Sequence, residues 1–412
     1  MKKIALIIIS SIFIFKCTPE FAQSFKNIND ASKFTNTLIE KGLLEEALDV
    51  YFDYIIPKIP NNHGTWHNIG HVYRLLGQPI KSIKAYEKAL SIDPENEYTN
   101  FGLSKAYLAA GKFKKGWKKF EYRYKDIKKF KQKKIDPKNL NGKTVVILSE
   151  WGLGDTMQFI RYAKLIKSNG ATVICESPKP LIPLFSQCKY IDRVVPRGCQ
   201  QLPPHDIKIP ILSLPLIFNT TVETIPAPIP YLYAKPELIK FWKNKIKNDK
   251  NFKVGICWQS KPGIFLEEQP RTKRSICLEK FAPLSKIDGV SFYSLQQVNG
   301  LNQLHNLPQE FEVIHFDGNF DKSNGRFMDT AAIIKNLDLI ISVDTSIVHL
   351  AGALGKEVWI LIPHTAEWRW MFKRNDSPWY PKSRLFRQSK PGDWKSVIEN
   401  IKNNLSEKIK QR

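Results

Sequence analysis

Polar residues that could bind a phosphate follow an apolar run near the C-terminal end of the chain. The run Leu339–Val343 predicts a buried strand. Asp344 and Thr345 come directly after it, and a helical pattern beginning near Thr345 carries Ser346 and, one turn inside, His349. The amino end of such a helix offers free N–H groups and a positive dipole, so it attracts phosphate or pyrophosphate. An ordinary strand–helix turn with Asp344 or Thr345 as N-cap fits equally well, and His349 could be a hydrogen-bonded core histidine.

A second turn of the same kind lies nearer the middle of the chain. The β-branched run Thr144–Ser149 predicts a strand, and the pattern Thr156–Ser168 predicts a helix. Between them, Gly152 and Gly154 would allow a tight turn and the close approach of a ligand. Asp155 then begins the helix, either as its N-cap or beside a phosphate or sugar. Two such turns in one chain are more specific than either turn alone.

Cationic and amide side chains follow two further predicted strands. Arg274 comes after the strand Val254–Trp258, and arginine offers planar, bidentate donors to phosphate. Arg271 and Lys273 are alternatives in the same basic run. Gln296 follows the next predicted strand and could line a pocket for a nucleoside. The chain contains no Asp-x-Asp pair, so the sequence predicts no metal-binding residues and no cofactor.

Helical repeats precede these motifs. Gly111 lies 34 residues after Gly77, and Gly42 lies 35 residues before it, the spacing of a tetratricopeptide helix–turn–helix repeat. One clear repeat at about 63–96 and two degenerate flanking copies are therefore predicted, with a short surface for a protein or acceptor. The eight positions that match the repeat pattern are Trp66, Ile69, Gly70, Tyr73, Gly77, Tyr86, Ala89 and Pro94.

The remaining pattern predicts two α/β units, so the expected fold class is tetratricopeptide helices followed by a pair of Rossmann-like α/β domains. The expected boundaries are 26–135 for the repeats with a basic end, 142–232 for the first unit and 250–412 for the second. A final helix, Trp394–Ile409, is expected to pack back across both units. The predicted strands are Thr144–Ser149, Thr172–Glu176, Arg193–Val195 and Asp206–Ile211, then Val254–Trp258, Ser291–Leu295, Glu312–His315, Leu339–Val343 and Val358–Ile362.

Five motifs in order carry a resemblance to a known family. They are GLGDTMQFIRYAKLI at 152–166, KVGICWQS at 253–260, RSICLEKFAPL at 274–284, the segment 328–363 and the segment 368–388. The series resembles bacterial glycosyltransferases related to the ADP-heptose heptosyltransferases (family nine), in the branch fused to tetratricopeptide repeats. The overall plan is similar to that of the O-linked N-acetylglucosamine transferases. The resemblance covers roughly residues 142–400 and is most specific in its C-terminal part.

This resemblance implies a GT-B pair of domains that transfers a sugar from a nucleotide-sugar donor without a metal ion.

 
The transfer is expected to invert the configuration at the sugar carbon. Basic side chains and helix N-termini would then stabilise the departing diphosphate. By the same resemblance, Arg274 binds the diphosphate, with Thr345 and Ser346 contacting the phosphates, and Asp344 accepts hydrogen bonds from sugar or ribose hydroxyls. Asp155 corresponds to the aspartate of the heptosyltransferase motif and is the candidate general base.

The expected acceptor is a glycan, a lipid-linked saccharide or a protein, and the repeats would recruit the acceptor or a protein partner. A different class of function stays open. The chain could be a non-catalytic repeat scaffold whose α/β part binds a nucleotide or serves only structure. Asp155, Arg274 and the Asp344–Ser346 segment favour the enzyme, because a scaffold has no need for polar groups at both strand ends.

Charge and cysteine content restrict the partners and the compartment. The net charge is +24, and Lys112–Lys134 interleaves lysines with aromatic residues. This stretch fits a solvated helix and linker, or an anionic membrane surface. The absence of a recognised nucleic-acid-binding motif argues against nucleic acid. The six cysteines show no CxxC spacing, which is typical of free thiols in a reducing compartment.

The N-terminal segment 1–22 is hydrophobic. Lys2 and Lys3 precede the apolar run Ile4–Phe15, which resembles a signal-peptide core and is short for a membrane span. A nucleotide-sugar enzyme needs the cytoplasm, where its donor is. We therefore expect a cytoplasmic protein, and export by a signal peptide is the alternative. For the segment itself three interpretations stay open: an uncleaved membrane anchor, a mis-assigned start and an amphiphilic tail.

Overall fold

The chain folds into helical hairpins followed by two parallel sheets. The computed structural model describes residues 25–123, 135–260, 273–316 and 318–411. The hydrophobic segment 1–22, Arg271 and residues 124–134 of the basic end of the repeats lie outside the described residues. Within the described part of the chain, no helix is both long enough and apolar enough to span a membrane.

The repeat region consists of antiparallel helices joined by short turns. Glycines at the turns, such as Gly77 and Gly111, adopt the left-handed backbone (φ 66° and 73°) that ends each helix. Asn62 and Asn96 cap the helices that follow them. The helices are α1 (Ile28–Glu40), α2 (Leu44–Val50, extended by a wide turn over Tyr51–Ile55), α3 (Ile56–Lys58), α4 (His63–Leu75), α5 (Pro79–Ile92), α6 (Glu97–Ala109) and α7 (Phe113–Phe120).

One aromatic ring joins three repeat helices. The buried ring of Tyr86 on α5 lies against Gly70 on α4 and Gly102 on α6. A Cβ atom at Gly70 would lie 2.7 Å from this ring, and one at Gly102 would lie 2.8 Å from it. Because neither glycine has a side chain, the helices can approach closely enough to enclose the Tyr86 ring.

The first α/β unit is a four-stranded parallel sheet in the order β3-β2-β1-β4. The predicted helix Thr156–Ser168 is in fact two helices, because the chain bends at Ile160 and Arg161, and the side chain of Arg161 is buried. The elements are β1 (Thr144–Leu148), α8 (Leu153–Phe159), α9 (Tyr162–Ser168), β2 (Thr172–Ser177), α10 (Ile182–Phe185), β3 (Arg193–Pro196), β4 (Ile207–Pro210) and α11 (Leu214–Ile217).

The second α/β unit is a five-stranded parallel sheet in the order β6-β5-β7-β8-β9. Helix α12 (Pro236–Lys245) connects the two units. The elements that follow are β5 (Phe252–Cys257), β6 (Val290–Ser294), α13 (Met328–Asn336), β7 (Leu339–Val343), α14 (Ser346–Ala353), β8 (Val358–Ile362), β9 (Ser383–Arg387) and α15 (Trp394–Lys410).

Two sequence-based expectations for this unit are wrong, and one strand was not predicted. The predicted strand Glu312–His315 pairs only through an isolated bridge between Ile314 and Tyr293, and β9 provides the fifth strand instead. The sequence of β9, Ser-Arg-Leu-Phe-Arg, contains only two apolar residues and neither alternates nor forms a long apolar run, so its strand pattern is weak. The final helix α15 buries its apolar side against the second sheet and not across both units, since residues such as Trp394 and Ile401 join the core of that sheet.

The last repeat helix packs against both α/β units. The Trp117 ring on α7 makes an edge contact with Phe159 of the first unit, at 6.3 Å, and with Trp368 of the second, at 5.4 Å. The indole N–H of Trp117 donates to the carbonyl of Thr220 at 3.1 Å. Side chains of all three parts therefore belong to one continuous core.

We predict that Gly70→Ala destabilises the repeats. The added methyl would overlap the Tyr86 ring, and overpacking of this kind costs about 1–3 kcal/mol, whereas the better helix propensity of alanine returns about 1 kcal/mol. Thermal and urea unfolding should show a net loss of about 1 kcal/mol. Gly64→Ala in the same helix is the control, because its nearest neighbour atom is 3.4 Å away. Equal stability of the two variants would show that the Tyr86 contact is loose.

Candidate active-site cleft

A cleft of about 710 Å³ lies between the two sheets, at the carboxyl ends of their strands. Open parallel sheets bind ligands at this edge, where the strand order reverses. In the first sheet the order reverses at β1, and in the second sheet at β5 and β7. All nine residues singled out from the sequence line this one cleft: Gly152, Gly154, Asp155, Arg274, Gln296, Asp344, Thr345, Ser346 and His349.

The turn after β7 forms the start of helix α14. Thr345 is the N-cap of this helix, and its hydroxyl accepts from the N–H of Ile347 at 3.3 Å. Ser346 is the first helical residue. The capping role considered for Thr345 is therefore present. Since the helix begins at the cleft, its first N–H groups and the positive end of its dipole lie at the cleft wall.

Asp344 is a buried carboxyl group beside two arginines. Only 4% of the residue is exposed. Burial raises the pKa of Asp344, and the charges of Arg274 and Arg369 partly oppose that shift. The Arg274 guanidinium also donates to the Asp344 carbonyl at 3.4 Å. Lys273, the described alternative to Arg274, is exposed and does not line the cleft, so the geometry favours Arg274 as the cation that faces a ligand.

Asp155 makes two kinds of contact. Its Oδ2 accepts from the N–H of Gly152 at 3.1 Å, which is the capping arrangement at the start of α8. Its Oδ1 accepts from Arg369 at 2.6 Å, across the cleft from the second unit. The side chains of Asp155 and Arg369 are 16% and 8% exposed. Asp155 is thus the third residue of α8 and not its N-cap, which is Gly152; its side chain instead accepts from the N-cap backbone N–H. Asp155 is also one half of an ion pair between the two units.

Arg369 joins the second unit to the start of the first. Its guanidinium bonds Asp155 and the side chain of Gln158, both on α8. Burial lowers the pKa of Arg369, but Asp155, Asp344 and Glu367 together outweigh burial and raise it. No local sequence signal could have found this pair, because its members are 214 residues apart. Arg326 also lines the cleft, and its Nε has no hydrogen-bond partner among the described residues.

His349 and Gly154 have mainly packing roles. A Cβ atom on Gly154 would lie 2.6 Å from the His349 ring. This glycine therefore allows α8 to pack against α14, in addition to any ligand that it would let approach the turn. His349 Nδ1 is 2.8 Å from the Tyr380 hydroxyl, and its ring stacks on Trp370 at 5.8 Å. The alternative of a hydrogen-bonded core histidine therefore describes His349, although one edge of it reaches the cleft.

Two further expectations need revision. The backbone of Gly152, with φ −91°, has a conformation that other residues also adopt. The residue of this turn with a left-handed backbone is Trp151, with φ 51°. Gln296 uses both ends of its amide to bind the segment after β5. It accepts from the N–H groups of Trp258 and Gln259 at 3.2 and 3.1 Å and donates to the Gln259 carbonyl at 2.9 Å. Gln296 therefore orders the cleft wall, and any contact with a nucleoside would come from its remaining surface.

The aromatic cluster near the C-terminal end is part of the core. Trp368, Trp370, Trp379 and Tyr380 are each no more than 3% exposed. Among the described residues, no group of three or more His, Cys, Asp or Glu side chains could hold a metal ion. The five described cysteines are free thiols, and three of them are buried.

We predict a contribution of His349 to the pH dependence of stability. Burial, followed by the charges of Arg369, Arg161 and Arg274, lowers its pKa well below the ordinary 6.5. Below pH 6.5 the unfolded chain therefore binds more protons than the folded chain. The stability is present above pH 6.5 and falls at lower pH, by up to about 1.4 kcal/mol per pH unit.

Urea unfolding at pH 7.5, 6.5 and 5.5 should show a shallower fall for His349→Gln than for the unchanged protein. Glutamine can still bond the Tyr380 hydroxyl but does not titrate. The exposed His205 provides the control, and His205→Gln should leave the slope unchanged. An unchanged slope in His349→Gln would show that this histidine is not buried in its neutral form.

Comparison with known proteins supports the repeat assignment. Residues 64–96 match the family profile of the tetratricopeptide repeat. Over 380 residues the chain is 23% identical to the protein FlbA of Caulobacter vibrioides, and the match covers 85% of this chain and 63% of FlbA. The chain thus spans less than two thirds of the length of that relative.

Solved structures that resemble the chain include three glycosyltransferases. They are a family nine glycosyl transferase from Veillonella parvula (TM-score 0.47, 11% identity, 64% of this chain and 90% of that one), the E. coli ADP-heptose heptosyltransferase II (0.43, 12%, 64% and 99%) and an O-GlcNAc transferase mutant from Thermobaculum terrenum (0.31, 11%, 93% and 92%). These similarities are too distant to carry an activity across. The fold class expected from the sequence is confirmed: tetratricopeptide helices followed by a GT-B pair of Rossmann-like units.

Proposed function

We propose that the chain is a glycosyltransferase that moves a sugar from a nucleotide-sugar onto an acceptor hydroxyl. One observation carries the proposal: a single cleft at the carboxyl ends of two parallel sheets is lined by a carboxylate from one unit and by cations and a helix start from the other. A group-transfer reaction with an anionic leaving group needs these elements on opposite sides of the reacting carbon.

The donor would lie against the second unit. Its diphosphate would meet Arg274 and the N–H groups at the start of α14, near Thr345 and Ser346. Asp344 would accept hydrogen bonds from sugar or ribose hydroxyls. The charge that develops on the leaving diphosphate would be stabilised by these fixed donors. This arrangement is the reason to propose a metal-independent reaction.

The acceptor would approach from the first unit. Asp155 would take the proton from its hydroxyl as the oxygen attacks the sugar carbon, on the face opposite to the leaving diphosphate. Attack from the opposite face inverts the configuration at that carbon. Arg369 would hold the Asp155 carboxylate in position through its 2.6 Å contact. We infer that Arg369 is a positioning residue.

The repeats would recruit the acceptor, which is a glycan, a lipid-linked saccharide or a protein, or a protein partner. Their packing against both α/β units supports this proposal, because a bound acceptor would then lie near the cleft. We place the reaction in the cytoplasm, where nucleotide-sugars are made, with contact to an anionic membrane surface through the basic end of the repeats.

The first test is donor binding without a divalent metal. A thermal-shift screen of UDP-, ADP-, GDP- and CMP-sugars in EDTA should identify one nucleotide that raises the melting temperature. A ligand at a hundred times its Kd stabilises the fold by about 2.7 kcal/mol. Stabilisation that appears only after addition of Mg²⁺ or Mn²⁺ would refute metal independence. If no nucleotide-sugar stabilises the protein, the scaffold interpretation is favoured.

We predict that Arg274→Ala weakens donor binding by about 1.5–3 kcal/mol, because a charge-assisted hydrogen bond to the diphosphate is lost. Isothermal titration calorimetry with the nucleotide-sugar from the screen would measure the change. Lys273→Ala is the matched control: it removes a neighbouring, exposed charge and should leave the affinity unchanged. Equal affinities of the Arg274→Ala variant and the unchanged protein would exclude this residue from the donor site.

We predict that Asp155→Asn lowers turnover by a factor of about 10²–10⁴, the usual contribution of a general base. Asparagine retains the helix cap but weakens the pair with Arg369, so the melting temperature should also fall. Arg369→Gln provides the comparison, since it disrupts the same pair and leaves the carboxylate in place. Its turnover should fall less than that of Asp155→Asn. Equal losses in the two variants would mean that Asp155 acts only by holding Arg369.

A further inference from the structure

A second cavity, of about 360 Å³, lies between the repeat helices and the second α/β unit. We call it the junction cavity. Its repeat side carries Arg74 and Lys105, and its other side carries Lys373, Arg387 and Glu367. The volume is in the range of small-molecule sites. Glu367 also lines the central cleft, so the two cavities are neighbours.

Positive charge in the junction cavity exceeds negative charge. Four cationic side chains and one carboxylate line it. Within the described part of the chain, none of these four cations lies within 4 Å of a carboxylate oxygen. Unlike Arg369 of the central cleft, which pairs with Asp155, these cations have no ion-pair partner among the described residues. A cavity of this kind attracts an anion.

Arg387 shows that this charge lacks compensation. Its guanidinium donates to the carbonyls of Arg374, at 2.7 Å, of Met371, at 2.8 Å, and of Trp370. These partners are neutral, and burial lowers the pKa of Arg387 to about 10. Burial, followed by the charge of Arg74, also lowers the pKa of Lys105, against the opposing effect of Glu367.

The remaining wall of the junction cavity is apolar. It includes Leu76, Met371 and Phe372, and the Phe372 side chain is 42% exposed. Met371 and Lys373, on either side of Phe372, have left-handed backbones with φ 53° and 56°. The N–H of Phe372 donates to the carbonyl of Ala109 at 2.9 Å, at the end of α6. Strained residues of this type persist where the surroundings fix them, and they concentrate at ligand sites.

We propose that the junction cavity binds a small amphipathic anion, with a phosphate or carboxylate group on an apolar body. The anionic group would lie among Arg74, Lys105 and Lys373, and the apolar body would lie against Phe372 and Leu76. This site is separate from the donor site and does not depend on the proposed transferase reaction.

Calorimetry with phenyl phosphate would test the site on the full chain. Phenyl phosphate should bind. A parallel titration with benzoate shows whether a carboxylate serves as well. Neutral benzyl alcohol should bind at least tenfold more weakly than the better of the two anions. Lys105→Met keeps the apolar stem and removes the charge, so it should weaken binding of that anion at least tenfold. Lys84→Met, an exposed charge on α5, is the control and should bind as the unchanged protein does.

Arg74→Met repeats the test with a second residue, in case Lys105→Met fails to fold. Arg274→Ala locates the probe: unchanged affinity is expected, and a loss would place the anion in the central cleft and overturn the proposal. Absence of binding by both anions, equal binding of benzyl alcohol, or unchanged affinity in a folded Lys105→Met or Arg74→Met variant would overturn it as well. None of these outcomes depends on whether the chain transfers a sugar.

Discussion

The close contact between helices α8 and α14 is the constraint on which the cleft depends. Gly154 lets the first unit approach the His349 ring of the second, where any larger residue would collide with it. Two buried arginines then join the units by polar contacts. Arg369 reaches Asp155 and Gln158, and Arg161 donates to the carbonyl of Trp379 at 2.8 Å and to the hydroxyl of Tyr231 at 2.8 Å.

These contacts are strong because they are shielded from water. Arg161 is only 2% exposed. Its guanidinium carbon lies 4.5 Å from the centroid of the Tyr231 ring. Removal of one partner would leave a buried charge without compensation, which is far more costly than loss of a surface pair. The two sheets are thus held at a defined spacing, and the width of the cleft follows from that spacing.

Much of the fold could be predicted from the sequence. Buried strands such as Leu339–Val343 and the 34-residue spacing of glycines are strong local patterns, and the carboxyl ends of parallel strands bring the residues that follow them to one edge. The nine singled-out residues therefore line one cleft. The partners of Gly154, His349 and Gln296 could not be predicted, because each partner is distant in sequence. The Asp155–Arg369 pair is the extreme case. β9 was missed because a short edge strand has little hydrophobic pattern.

The segment between β8 and β9 also binds the ends of two repeat helices. The Thr365 hydroxyl donates to the carbonyl of Leu75, and the Phe372 N–H donates to the carbonyl of Ala109. Both carbonyls belong to the last turn of a helix, where C=O groups have no N–H partner within the helix. The repeats and the α/β half are consequently not joined by a simple boundary. An engineer who exchanges the repeat array would also have to redesign the segment that carries Arg369, so the two halves are not interchangeable modules.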